Sequence, residues 1–300
     1  MSVPDATRKD WPKLAPAPRG VPLSFGIGAV CGAPLMQAGL LLLVFALVPM
    51  WGVLPYTDAA SLWRYGGELE FSTARIVHVE QTSATEGGGK GRRGTPIQRI
   101  DFEFEREGAT LAGTSYGAVK PPEAGSTVEL EFPRAQPQFA RIRGLRSDLF
   151  GPAALMSLLL PLTGTVLAMI GLVQALRTLA LASRGRSALG RTQELKFLRT
   201  RKRREYHRAT YSFSADGAEI RGSRDTTNKS IYEDAGGLRV LFDPHAPQRH
   251  QLVDELPVPP RFDALGRLQP LPSRNLALAL ILPTLAFAGY ASWAVWLLVR

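Results

Sequence analysis

Cysteine is nearly absent from this chain. Cys31 stands alone among 300 residues, which excludes an intramolecular disulfide and any cysteine-based structural zinc site. It also fails as a lipidation site, because it follows Val30 and precedes the long apolar run instead of closing one. It reads as a small residue near a membrane surface. Histidine is scarce as well: His78, His207, His245 and His250 are the four. His245 and His250 lie in a Pro-containing turn without carboxylates at ligand spacing, so neither a metal nor a cofactor is expected, and all four are expected at the surface. No H-E-x-x-H pair or Cys/His dyad occurs, which argues against an enzyme.

The most informative absence is that of charge. No charged residue lies between Arg19 and Asp58, between Asp148 and Arg177, or between Arg274 and Arg300, gaps of 38, 28 and 25 residues. A membrane-spanning helix needs about 20 predominantly apolar residues, and all three gaps are long enough. The expected spans are 34–54, 152–176 and 276–298. The first run is longer than a signal-peptide core and lacks a small-x-small site after Met50-Trp51, which favours an anchor over a cleaved signal. Pro161, followed by Thr163-Gly164-Thr165, is expected to kink the second span. Gly164, Ala168 and Gly171 suit either a helix–helix contact or a lipid-facing surface. No Asp, Glu, Lys, Arg or His falls inside any span, which weakens a transporter reading.

Charge returns on one side of the second span. Arg177, Arg184, Arg186, Arg191, Lys196, Arg199, Arg201, Lys202, Arg203, Arg204 and Arg208 are opposed only by Glu194 and Glu205. The loop after the first span is balanced, with 12 Lys/Arg against 13 Asp/Glu. The positive-inside rule then places the tail 1–33 in the cytoplasm, a β domain at 68–146 outside, a second at 190–256 inside, and the C-terminus outside. A Pro-rich linker is expected at 257–275. Arg184, Arg186, Arg191, Lys196, Arg199, Arg201, Lys202, Arg203 and Arg204 are candidates for anionic-lipid contact. Only Phe197 and Tyr206 accompany this basic stretch, too few for a nucleic-acid stacking platform, so no nucleic-acid partner is expected.

Between the spans the pattern changes to period two. Ile100-Asp101-Phe102-Glu103-Phe104-Glu105 and Thr127-Val128-Glu129-Leu130-Glu131-Phe132 alternate apolar residues with carboxylates, giving strands with one buried and one wet face. Asp101, Glu103, Glu105 and Glu107 therefore read as a solvated face rather than an acid–base pair. Gly87-Gly88-Gly89-Lys90-Gly91-Arg92-Arg93-Gly94 lacks the Ser or Thr that a P-loop places after lysine, and reads as a hairpin tip. After the second span the pattern returns. Tyr211-Ser212-Phe213 with Asp216-Gly217 parallels Phe102-Glu103-Phe104 with Glu107-Gly108, Ile220-Arg221-Gly222 parallels Leu111-Ala112-Gly113, and Leu238–Phe242 parallels Val128–Phe132. The offset is 109 residues early and 110 later, as an internal repeat with one insertion would give.

Ala74-Arg75-Ile76-Val77, the Ser115-Tyr116-Gly117 turn, Ala124-Gly125-Ser126-Thr127-Val128, Arg141-Ile142-Arg143-Gly144-Leu145-Arg146 and Phe150-Gly151-Pro152 together resemble the bacterial family called domain of unknown function 3592. The resemblance covers about 70–180, and the second β domain more loosely. That second copy is expected to lack the long first hairpin and the Arg-Ile-x-Gly ending. The resemblance implies architecture and carries no activity. The expectation is an α plus β membrane protein of the bacterial inner membrane, with three transmembrane helices and two small antiparallel β domains, barrel- or sandwich-like. It would serve as a non-enzymatic scaffold or sensor with the bilayer and a protein as partners, or as an accessory subunit of a transporter or membrane enzyme.

Overall fold

The structure is a computed structural model that describes residues 14–88, 93–201, 204–233 and 237–299. Six helices occur among them: α1 (Leu23–Cys31), α2 (Pro34–Gly52), α3 (Ser61–Arg64), α4 (Leu159–Arg184), α5 (Ser230–Glu233) and α6 (Ser273–Val299). Ten strands accompany them: β1 (Leu69–Glu86), β2 (Thr95–Arg106), β3 (Ala109–Gly117), β4 (Thr127–Pro133), β5 (Arg141–Ile142), β6 (Arg186–Arg201), β7 (Arg204–Ala215), β8 (Ala218–Thr226), β9 (Leu238–Asp243) and β10 (Ala246–Leu252). The chain divides into two compact units, Phe45–Pro161 and the remainder.

Among the described residues, three helical segments are long and apolar enough to cross a membrane: Pro34–Tyr56, Pro152–Arg184 and Ser273–Val299. The second runs on past the expected 176 to Arg184, and its first part, Pro152–Leu158, is a 3-10 helix. Pro161 lies in the first turn of α4, where its missing N–H costs no helical bond, so it starts the α-helix instead of kinking one. The small residues of α4 do make a helix–helix contact. A Cβ added to Gly39 of α2 would lie 2.5 Å from Ala168 N and Gly164 O, and one added to Gly164 would lie 2.9 Å from Gly39 O. Gly171 is likewise pressed against the backbone of Leu35 and Met36. Tyr290 of α6 donates to Leu43 O at 3.2 Å, and Gln37 donates to Ala279 O at 3.1 Å.

Each β region is a five-stranded antiparallel sheet, in the orders β3-β2-β1-β4-β5 and β8-β7-β6-β9-β10. The register matches as well as the order. Phe102 pairs with Gly113 as Tyr211 pairs with Gly222. β1 bulges after Ile76, opposite Phe102, and again after Gln81, opposite Gln98. β6 bulges after Thr192, opposite Tyr211, and again after Phe197, opposite His207. Both second hairpins turn through two positive-φ residues, Glu107-Gly108 and Asp216-Gly217, the geometry that matches strand twist. The alternation read from sequence holds: Ile100, Phe102 and Phe104 are buried while Glu103 and Glu105 are exposed.

Three boundaries differ from expectation. The second sheet has a long first hairpin after all, because β6 and β7 pair from Gly190–Phe213 out to Arg201–Arg204. Its outer half is so basic that charge conceals the period-two pattern. That sheet begins at Arg186, before the expected 190. The stretches expected as tail and linker carry structure too. α1 occupies 23–31, and a small hairpin pairs Phe262 with Leu268 around an Asp263 side chain that accepts N–H groups from Leu265 and Arg267 at 2.9 and 2.8 Å. Leu268 joins Phe25, Ala29 and Ala182 in one buried cluster, which is what holds the linker down.

Candidate functional site

The Arg141–Arg146 segment closes the first sheet into a barrel. Ile142 enters the core and its N–H donates to the buried Ser115 Oγ at 2.9 Å. Gly144 supplies a φ of +81°, which reverses the chain. Arg146 then exchanges backbone hydrogen bonds with Tyr116 on β3 at 2.8 and 3.0 Å, joining the end of the sheet to its other edge. Its guanidinium binds Glu86 through both oxygens at 3.1 and 2.9 Å. Arg141 pairs with Glu131 at 2.7 Å and stacks 3.6 Å over the Tyr65 ring, and burial pushes the Tyr65 hydroxyl above its ordinary pKa.

In the second sheet the corresponding seam, between β8 and β10, is bridged by side chains. Arg224, at the position matching Ser115, has Nε 2.5 Å from Glu255 Oε2. Tyr232 donates to Glu255 Oε1 at 2.6 Å. His250 Nε2 lies 3.0 Å from the Tyr211 hydroxyl, with its ring against Phe213. Burial raises the pKa of both Tyr211 and Tyr232, so both hydroxyls stay protonated through neutral pH. His250 is thus packed on the core, and His207 is buried beside Phe197, whereas His78 and His245 are exposed as expected. No cluster of three or more potential metal ligands occurs among the described residues.

The nine basic candidates do not form one patch. Arg184 ends α4, and Arg186 pairs with Asp216 at 2.9 Å. β9 pairs with β6 only from Arg186 to Gly190; beyond that, β6 and β7 continue as an arm. Lys196 lies about 33 Å and Arg201 about 50 Å along the strand from Arg186, at about 3.3 Å per residue. Arg191, Lys196 and Arg204 are exposed and make no ion pair among the described residues, and Arg199 lies 5.7 Å over the Tyr206 ring. Lys202 and Arg203, like residues 89–92 of the glycine-rich tip of the first hairpin, lie outside the described residues.

Two features had no signal in the sequence. Arg19 is 8% exposed and caps the end of α4, donating to Ala182 O at 3.0 Å and Gly185 O at 2.7 Å, while burial lowers its pKa. A guanidinium at a helix C-terminus satisfies orphan carbonyls and meets the negative end of the dipole. Asp58, 3% exposed, ties together the two chain segments at the root of the first barrel. Its carboxylate accepts N–H groups from Ser61 at 3.3 Å and Ser147 at 3.0 Å, and its own N–H donates to Phe150 O at 2.8 Å. Comparison with protein-family models, curated proteins and solved structures finds no match to this chain.

Proposed function

We propose that the chain is a multi-pass protein of the bacterial inner membrane and a non-enzymatic scaffold. It would present one β barrel outside the cell membrane and a duplicated relative of it in the cytoplasm. The observation that carries this reading is the arm that each sheet extends. From Glu194 to Arg201, β6 is paired with β7 alone among the described residues, which leaves a backbone edge on which a partner strand can add. The exposed Lys196 and Arg204 near its end suit an acidic partner surface. Arg184, at the end of α4, would meet anionic headgroups, whose attraction fades within a Debye length of about 8 Å, far short of the arm's outer half. Matched strand order, register and bulges support descent of both sheets from one duplicated unit; that the unit is of the domain 3592 type rests on the sequence resemblance alone.

The test has two parts. In a background lacking Cys31, single cysteines at Gly88 and Glu219, both exposed, should label from opposite sides of intact cells. Labelling from one side would sink the three-span topology. Purification in mild detergent should recover a stoichiometric protein partner, and Lys196→Glu with Arg204→Glu should release it. Recovery of the isolated chain alone would refute the scaffold.

A further inference from the structure

Arg177 is the first charged residue after 28 uncharged ones. Next to it, Thr178 Oγ1 donates to Gln251 Oε1 at 3.0 Å, and Leu181 is buried with Leu241 and Val253, so the second sheet is docked on the last two turns of α4. Between helix and strand lies a cavity of about 570 Å³, in the size range of small-ligand sites. Ala180 and Leu181 give it an apolar helix side, while Gln248, Arg249 and Gln251 line the strand side.

Its charges are unequal. Arg177 and Arg249 are both exposed and make no ion pair or hydrogen bond among the described residues. Three other polar side chains of the lining are engaged: Asp243 Oδ1 accepts the His245 N–H at 2.9 Å, Gln251 Oε1 accepts from Thr178, and His250 Nδ1 and Nε2 contact Pro247 O at 3.1 Å and Tyr211 Oη at 3.0 Å. Two guanidinium groups against one carboxylate leave a net positive pocket, and the planar fork of Arg matches phosphate oxygens in pairs. Depth points to the source of the phosphate. The 26 residues of α4 make a helix of about 39 Å, against a hydrocarbon core of about 30 Å. Its charged end, from Arg177 onward, therefore falls in the headgroup layer.

We propose that this cavity binds a phosphate oxyanion, supplied by a phospholipid headgroup; the assignment rests on the membrane reading above. Full-length protein in a non-ionic detergent can be titrated with short-chain phosphatidylglycerol and, separately, with inorganic phosphate, with native mass spectrometry counting bound molecules. Arg177→Gln and Arg249→Gln should each weaken phosphatidylglycerol binding by about tenfold, the usual worth of a charge-assisted contact. Arg221→Gln, exposed and outside the cavity, should change it less than about twofold, as an exposed charge does. Asp243→Asn keeps the turn acceptor and removes the opposing charge, so binding should tighten by about threefold, a gain that misfolding cannot produce. Inorganic phosphate binding with the same variant pattern, and no lipid binding, would keep the site and overturn the lipid as its source. Equal binding by all four variants and the wild type would overturn the site itself. A chain that stays dispersed without detergent would instead overturn the membrane reading.

Discussion

Gly113 and Gly222 show what single residues decide in this fold. Each sits directly across from an aromatic ring of the neighbouring strand, and a Cβ there would lie 2.5 Å from the Phe102 ring or 2.6 Å from the Tyr211 ring. Alanine at either position must push the ring off its rotamer or part the strands, which costs about 1–3 kcal/mol in a packed core. Gly113→Ala and Gly222→Ala should therefore lower the thermal unfolding midpoint of the purified protein. Gly20→Ala, where nothing lies within 4 Å, should leave it unchanged. The spacing of the two glycines was legible in the sequence, as was the turn dipeptide before each. The ring above each glycine was not, because it comes from strand register and not from neighbours in the chain. Arg19 was legible only as one more positive charge; its role as a helix cap depends on an element more than 160 residues away.

At the scale of elements, lack of charge located the helices and alternation located the strands, since both are local consequences of where a side chain can be solvated. Failures fell where local pattern and environment part company. The second sheet's arm carries basic residues on both faces and so gives no alternation, yet its cross-strand hydrogen bonds form regardless. The α2–α4 contact was an open alternative from spacing alone, because small residues on a lipid-facing stripe look the same in sequence. Its close backbone approach makes a specific claim. Gly39→Leu places four additional carbons where Ala168 N and Gly164 O already sit 2.5 Å from a Cβ, so the helices must separate. Its midpoint in detergent should fall by several degrees, with loss of about 1–3 kcal/mol. Gly52→Leu, on the same helix with nothing within 4 Å, should be silent; equal effects would mean that the contact does not hold the bundle.

At the scale of the molecule, the scaffold proposed above would need its first barrel held in a fixed attitude to the bilayer, and the chain is tied at that barrel's root. The chain leaving α2 and the chain approaching α4 are tied by the Asp58 carboxylate and by backbone bonds at Tyr56, Asp58 and Phe150. Just beyond the tie, Leu62 and Trp63 are 60% and 68% exposed on α3. Large apolar side chains exposed within a few residues of a membrane-length helix are costly in water and favourable at the headgroup boundary, where indole is most stable. With the membrane reading proposed above, Trp63 should rest in that layer and be quenched by brominated lipid in reconstituted vesicles. A variant with Phe at Trp11, Trp51, Trp293 and Trp296 isolates its emission. Asp58→Ala leaves two N–H groups without their buried acceptor, at a cost of about 1–3 kcal/mol, and frees the barrel to swing. Quenching of Trp63 should then weaken and its emission shift to the red while the barrel stays folded. Undiminished quenching in Asp58→Ala would show that α3 is held at the bilayer by its own apolar residues and not by the clamp.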